Sequence, residues 1–281
     1  MGLGGYLTWT AVAREICNGK DTNIYKIVPC ELHGDSLRLV KSEVFRDNPA
    51  FLQNGAKISR YECFPLQLNN PKTNYCIQDT PTKAYHRYDK HIIEQICEFY
   101  EIDKPTLRCE LYFSQREQQR VDDIKKSLGK KFIAIEPHSK TNYTPNRAYP
   151  FEKWQKVVNE LSKHTQVVQI GPPGKRVLEN VTDLTNSTSF KEAALLLKYA
   201  QGFVSTEGGL VHAATAVDTK SVVVMTGYQS MKMVAYPQNI NIDISSHGPC
   251  GMKVVCPQCS DDANKHDYHI IVEKVLENLN V

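Results

Sequence analysis

From Lys131 onward, short apolar runs alternate with segments whose apolar positions recur at helical spacing. "KKFIAIEPH" reads as a buried strand, and "PFEKWQKVVNELSKH" as a helix with Trp154, Val157, Val158 and Leu161 on one face. "TQVVQIG" reads as a second strand, followed by the loop "PPGKR". "FKEAALLLKYA" reads as a helix capped by Ser189, whose hydroxyl accepts from a first-turn N–H. The strand "GFVST", a helix from about Leu210 to Val217, the strand "SVVVMTG" and the last helix "YHIIVEKVLENL" complete the series. Such alternation predicts a doubly wound parallel sheet, which binds ligands outside the carboxyl ends of its strands.

The first half is less regular. "YLTWTAVAREICNG" predicts a helix closed by Gly19, "NIYKIVPC" a strand and "SLRLVKSEVF" a helix. "ISRYECFPLQL" predicts a strand and "HIIEQICEFYEI" a helix. The polar, helical "SQREQQRVDDIKKSLGK" suits a connector between halves. The expectation is two α/β domains, residues 1–120 and 121–281, facing across a cleft.

Composition narrows the class. A chain of 281 residues that is 41% apolar can bury two cores. No apolar run approaches the roughly 20 residues of a spanning helix, and no secretory pattern opens the sequence. Tyr6 stands where a myristoylation motif needs Ser or Thr. A cytoplasmic location is the expectation. A net charge of +3 without a basic, aromatic-interleaved stripe argues against nucleic acid as a partner. Nine cysteines, an odd number in a chain too large to need staples, argue for reduced thiols.

The densest chemistry lies in "GFVSTEGGLVHAATAV", between strand and helix. A helix opening there presents unsatisfied N–H groups and a positive dipole end, and glycines admit a phosphate to the backbone. Thr206, Glu207, Gly208, Gly209, Leu210 and His212 are therefore candidate ligand residues, His212 as an added donor. Glu207 would repel phosphate, and fits a role in accepting hydrogen bonds from sugar or ribose hydroxyls. A tight glycine turn with a solvated Glu and a surface His is the competing reading.

This stretch resembles the donor-site signature of the family 9 glycosyltransferases, the heptosyltransferase-like enzymes. Gly209, Leu210 and His212 match that signature, Glu207 stands for its Asp and Gly208 for its Thr. "IEPHSKTNYTPNRAYPFEKW" is similar to the family's hydroxyl-bearing loop and basic-x-aromatic-Pro-x-x-x-Trp pattern. The resemblance implies that Ser139 and Lys140 face the diphosphate, and that Arg147 holds the place of a donor-binding Lys. "GLGGYLTWTAVAREI" is similar to the family's opening turn and helix, which puts Gly4, Gly5 and Tyr6 on the acceptor side. Gly5 replaces the family's general-base Asp, a group that contributes roughly 10²–10⁴ in rate. Glu31, His33 and Asp35 are the candidate substitutes. The strand that the family sets before this turn is missing from the expected N-terminal domain. Lys175, in "GPPGKR", replaces an acidic residue that contacts the nucleotide in relatives.

"HGPCGMKVVCPQCS" offers Cys250, Cys256 and Cys259, with His247, His266 and His269 nearby. Three thiols and one imidazole suffice for tetrahedral zinc or iron, and some heptosyltransferase relatives carry a cysteine-bound iron in a similar region. Reduced thiols in a loop are the alternative. Cys17, Cys30, Cys63, Cys76, Cys97 and Cys109 fall mostly in expected core elements and read as small apolar fillers. His86 and His91 lie near the expected domain junction.

The resemblance implies a GT-B fold and an inverting, metal-independent transfer that needs no cofactor. The sugar would pass from a nucleotide diphosphate sugar to a cell-envelope glycan or glycolipid, such as lipopolysaccharide core, at the inner membrane surface. Two other readings stay open: a catalytically impaired relative that binds nucleotide sugar or glycan, and an assembly module organised by a cysteine-bound metal.

Overall fold

The computed structural model describes residues 2–279. The N-terminal half begins with α1 (Leu3–Ile16) and continues through β1 (Tyr25–His33), β2 (Ser36–Leu39) and β3 (Glu62–Gln67). A hairpin of β4 (Cys76–Asp79) and β5 (Ala84–His86) precedes α2 (Ile92–Phe99) and α3 (Gln115–Leu128). The three-stranded sheet runs β2-β1-β3, with β1 antiparallel to β2 and parallel to β3. Residues 120 and 121, the expected division between halves, fall inside α3.

The segment "SLRLVKSEVF" is not the expected helix. Its first residues form β2, and a single 3-10 turn covers Glu43–Phe45. Apolar residues at 37, 39, 40, 44 and 45 satisfy both periods, and tertiary pairing decided between them. Gly34, at φ 59°, opens a two-residue turn that sets Leu37 opposite Leu32.

The C-terminal half follows the expected alternation. It comprises β6 (Phe132–Glu136), α4 (Phe151–Leu161), β7 (Gln166–Gln169), β8 (Thr182–Asp183), α5 (Phe190–Leu197) and β9 (Gly202–Thr206). Then come α6 (Gly209–Ala216), β10 (Ser221–Met225), α7 (Met231–Val234), β11 (Ile240–Asp243), α8 (Pro257–Lys265) and α9 (His269–Asn278). Ser189 caps α5 through a capping box with Glu192. All six strands are parallel, in the order β11-β10-β9-β6-β7-β8.

Alternate strand residues feed two cores. Ile133, Ile135, Val204 and Val222 pack under α4 and α9. Ala134, Phe203 and Val223 join the opposite core, which includes α5 and α6 and continues into Leu7, Ile27, Phe51 and Ile93 of the N-terminal half. The halves meet where α1 lies on α6 and α3 on α5.

Candidate functional site

Strand order fixes where a ligand can sit. The chain winds outward from β6 through β7 and β8, then returns to place β9 on the other side of β6. The crevice beyond the carboxyl ends of β6 and β9 is the topological switch point of such a sheet. Glu136 ends β6, and Thr206, Glu207 and Gly208 lead from β9 into α6.

Helix α6 starts without a side-chain cap and without an acidic residue in its first turn. Among the described residues, the N–H groups of Gly208, Gly209 and Leu210 have no protein acceptor. Helix α1, likewise uncapped and free of first-turn acids, begins beside it. The α1 Gly4 backbone lies 3.7–3.8 Å from the Cβ position of Gly209. Two positive helix ends therefore converge. Lys140 adds a cation, its Nζ lying 3.7 Å from the Cβ position of Gly2. Ser139 contributes a buried hydroxyl with no partner among the described residues. A Cβ on Gly208 would meet nothing closer than the Thr206 carbonyl oxygen at 3.8 Å, so the approach to that amide is open. Gly4 is the glycine that this approach requires, since a Cβ there would lie 3.0 Å from the Gly209 Cα and 3.1 Å from the His212 ring.

Glu207 is not a solvated carboxylate. It is nearly buried, and its Oε2 lies 2.8 Å from Nε of Arg147. Arg147 also donates from Nη2 to Gln229 Oε1 at 3.1 Å and lies 4.9 Å over the Tyr228 ring. The pair cancels the one negative charge beside the α6 amides. His212 is pinned by a 2.6 Å bond between Nδ1 and the Tyr236 hydroxyl, and its ring abuts Gly4. Burial, followed by the positive charges of His91 and Arg147, lowers its pKa to about 3, so the ring is neutral.

Nothing in the sequence singles out Glu136. It closes a strand, so its position read as sheet rather than site. Desolvation raises its pKa to about 8, and no side-chain partner meets its carboxylate among the described residues. Its Oε1 is 3.4 Å from the Cβ position of Gly171, at the end of β7. From Ser139 a groove of about 480 Å³ continues past Tyr149 and Phe151 to Lys175 and α8.

Tyr6, expected on the acceptor side, stacks edge-on against Phe45. Its phenol pKa is raised by burial and by the charge of Glu31. Glu31 Oε2 lies 3.3 Å from His33 Nε2 near the end of β1, whereas Asp35 occupies the exposed β1–β2 turn. Histidines 86 and 91 are buried in the seam. His86 meets the Tyr228 ring edge-on and His91 lies against Tyr236. Desolvation lowers both pKa values to about 4.

The thiol cluster closes around one histidine. The ligand atoms of His247, Cys256 and Cys259 lie within 4.8 Å of one another. Cys259 Sγ is 3.5 Å from Cys250 Sγ and 3.5 Å from His247 Nε2. A tetrahedral ion with ~2.3 Å bonds to sulfur and ~2.0 Å to nitrogen has edges of about 3.5–3.8 Å. The two Cys259 contacts match those edges, so His247, Cys256 and Cys259, with Cys250 against Cys259, suit zinc or iron. His247 Nδ1 lies 2.6 Å from the Gly248 carbonyl oxygen, an arrangement that aims Nε2 at the cluster. His266 instead bonds the Tyr149 hydroxyl, and His269 pairs with Asp267. Of the dispersed cysteines, Cys17, Cys30, Cys97 and Cys109 are buried, and Cys63 and Cys76 are half-buried.

Among curated proteins the sequence finds no match. The solved structure of a family 9 glycosyl transferase from Veillonella parvula superposes with a TM-score of 0.66 at 12% identity, covering 100% of this chain and 95% of that one. The iron-containing dodecameric glycosyltransferase TibC from enterotoxigenic E. coli gives 0.61 at 15% identity, over 100% and 74% of the two chains. E. coli ADP-heptose lipopolysaccharide heptosyltransferase II gives 0.52 at 16% identity over 68% of this chain, and the match spans 62% of that enzyme's length. These neighbours share an α/β fold of the GT-B type. The family model of glycosyltransferase family 9 (heptosyltransferase) matches residues 81–261, and the chain belongs to that family.

Proposed function

We propose that the chain transfers heptose or a related sugar, with inversion, from a nucleoside diphosphate sugar to a hydroxyl of a cell-envelope glycan such as lipopolysaccharide core. One observation carries this reading: two uncapped helix N-termini converge beside Lys140, with the adjacent carboxylate already neutralised by Arg147. Such a site is short of negative charge, and a diphosphate supplies it. The donor named for a TibC complex, ADP-D-beta-D-heptose, has this chemistry.

In the reaction the acceptor oxygen attacks the anomeric carbon as the bond to the diphosphate oxygen breaks. The amides of Gly209 and Leu210, with Ser139 and Lys140, stabilise the charge that collects on the departing group. Glu136, unpaired, is better placed than Glu207 to accept hydrogen bonds from donor hydroxyls. The acceptor proton needs a base that Gly5 does not provide. Of the three candidates Glu31 is favoured, because its charge reaches Tyr6 beside that glycine. A second reading, a donor-binding relative without turnover, is favoured by Gly5 alone. The described helices include none long and apolar enough to cross a membrane. His247, Cys256 and Cys259, with Cys250 beside them, would hold a zinc or iron ion as a structural brace.

The experiment is calorimetry with ADP, GDP and UDP, followed by turnover of the matching heptose donor. Arg147→Ala should weaken nucleotide binding about 10–100-fold, as expected for a lost charge-assisted contact. Unchanged affinity removes the site assignment. Glu31→Gln should abolish turnover and spare nucleotide binding. A Gly5→Asp variant that alone turns over donor supports the second reading.

A further inference from the structure

The loop bearing the thiols and the loop bearing Arg147 are joined chiefly by the side chain of Asn146, with Thr144 Oγ1 adding one bond to the Met252 carbonyl at 2.7 Å. Asn146 is 5% exposed. Its Oδ1 accepts from the Cys256 N–H at 2.8 Å, and its Nδ2 donates to the carbonyls of Met252 at 2.7 Å and Val254 at 2.8 Å. Its own carbonyl accepts from Thr226 Oγ1 at 2.7 Å, just beyond β10. A buried amide with three bonds to one loop is held wherever that loop holds its backbone, since leaving any of them unmade is costly. The next residue is Arg147. Its guanidinium lies on the Tyr228 ring, and Tyr228 packs with Cys250, Cys256 and Cys259 in one small buried cluster. Arg147 is thus tied to the thiol loop twice, through the backbone at Asn146 and through the ring of Tyr228.

We infer that Asn146 is a positioning residue through which the ion site of His247, Cys250, Cys256 and Cys259 sets the place of Arg147, so that a metal ion and a nucleoside diphosphate bind cooperatively. The inference rests on the donor site proposed above. An ion drawing these side chains together fixes the backbone leading to Cys256, and with it two of the three partners of Asn146, the Val254 carbonyl and the Cys256 N–H. Without the ion, residues 250–253 keep their backbone bonds to Gly227, Tyr228 and Thr82, but Val254 and Cys256 are left to Asn146 and the thiol contacts, and Arg147 loses its fixed place beside the α6 amides. Coupling of this kind is reciprocal: whatever factor the ion adds to nucleotide affinity, the nucleotide adds to ion affinity.

The test uses the full chain under anaerobic, reducing conditions, stripped of metal and then reloaded with Zn²⁺. Calorimetry measures the affinity of the best-binding nucleoside diphosphate in both forms, and Zn²⁺ affinity is measured with and without that nucleotide. Loading should tighten nucleotide binding at least about fivefold, the lower end of ordinary coupling, with an equal effect in reverse. Asn146→Ala, and Thr226→Val as a milder cut in the same strap, should retain Zn²⁺ while the factor falls below about twofold. Asn146→Asp keeps the acceptor for Cys256 and should recover part of it. Equal nucleotide affinity in the two wild-type forms overturns the inference and leaves the donor site standing. Zn²⁺ uptake below about a tenth of an equivalent also overturns it, because a four-ligand thiol site binds far more tightly than that. Failure of both forms to bind any nucleoside diphosphate rejects the donor site itself, and the inference with it.

Discussion

The two sheets of this molecule are opposites in burial. Every residue of β9 and β10 is buried, whereas every residue of β2 is exposed. The six-stranded sheet is covered on both faces, as all-parallel sheets must be. The three-stranded sheet ends in the exposed antiparallel strand β2, and its buried residues Ile27 and Leu66 share a core with Leu7, Phe51 and Ile93. The difference separates two tasks: the buried sheet is a fixed platform whose switch point places the crevice proposed for the donor, and the smaller half brings pieces up to it. Those pieces are the α1 N-terminus, Glu31 and the hairpin carrying His86. The seam between the halves is polar as well as apolar. Lys191, fully buried, pairs with Asp47 at 2.9 Å and Glu117 at 3.1 Å, while His86, His91 and His212 face buried tyrosines.

Acid should open this seam with the largest effect. The unfolded histidines take protons near pH 6.5, but the folded ones resist until about pH 4 for His86 and His91 and about pH 3 for His212. The unfolded state therefore binds more protons in that window, and stability falls as pH falls through it. Between pH 6.5 and 5 each histidine should remove about 2 kcal/mol, seen as a steep drop in Tm. A Tm flat from pH 7 to 5 contradicts the buried seam. Lys191→Ala comes next, at about 2–3 kcal/mol, because it removes the buried cation between Asp47 and Glu117, while Arg46 at 2.6 Å still compensates Glu117. Urea unfolding measures it, and a loss under 1 kcal/mol means that water reaches the triad.

Smaller effects sharpen the contrast. Gly4→Ala sets a Cβ 3.0 Å from the Gly209 Cα and 3.1 Å from His212. Overpacking less the gain in helix propensity leaves about 1–2 kcal/mol of destabilisation, with weaker nucleotide binding as the α1 end shifts. Leu37→Lys on exposed β2 should change stability by less than about 0.5 kcal/mol, where the same change in β10 would unfold the protein.

Much of the platform was legible because its signals are local. Ser189 caps α5 as expected, and "GFVST" and "SVVVM" are too short and too β-branched to be anything but buried strands. The hairpin of β4 and β5 was missed, since "CIQD" and "AYH" are too short and polar to carry a period of two. Within the site, the crowding of Glu207, Gly208, Gly209 and His212 was visible, but their roles were not. Sequence showed Glu207 without Arg147, sixty residues upstream, and His212 without Tyr236. Three histidines near the thiols were equal candidates until the loop placed His247 against Cys259.

By itself, then, the sequence determined the alternation of strand and helix, the parallel sheet and the glycine turn that leads from β9 into α6. Those depend on interactions within a few residues and on a period the chain cannot hide. Tertiary structure alone decided which charges cancel, which imidazoles stay neutral and which glycine serves a neighbouring helix rather than a ligand. Such outcomes depend on distance and dielectric between groups far apart in the chain, and neither is written in the order of residues.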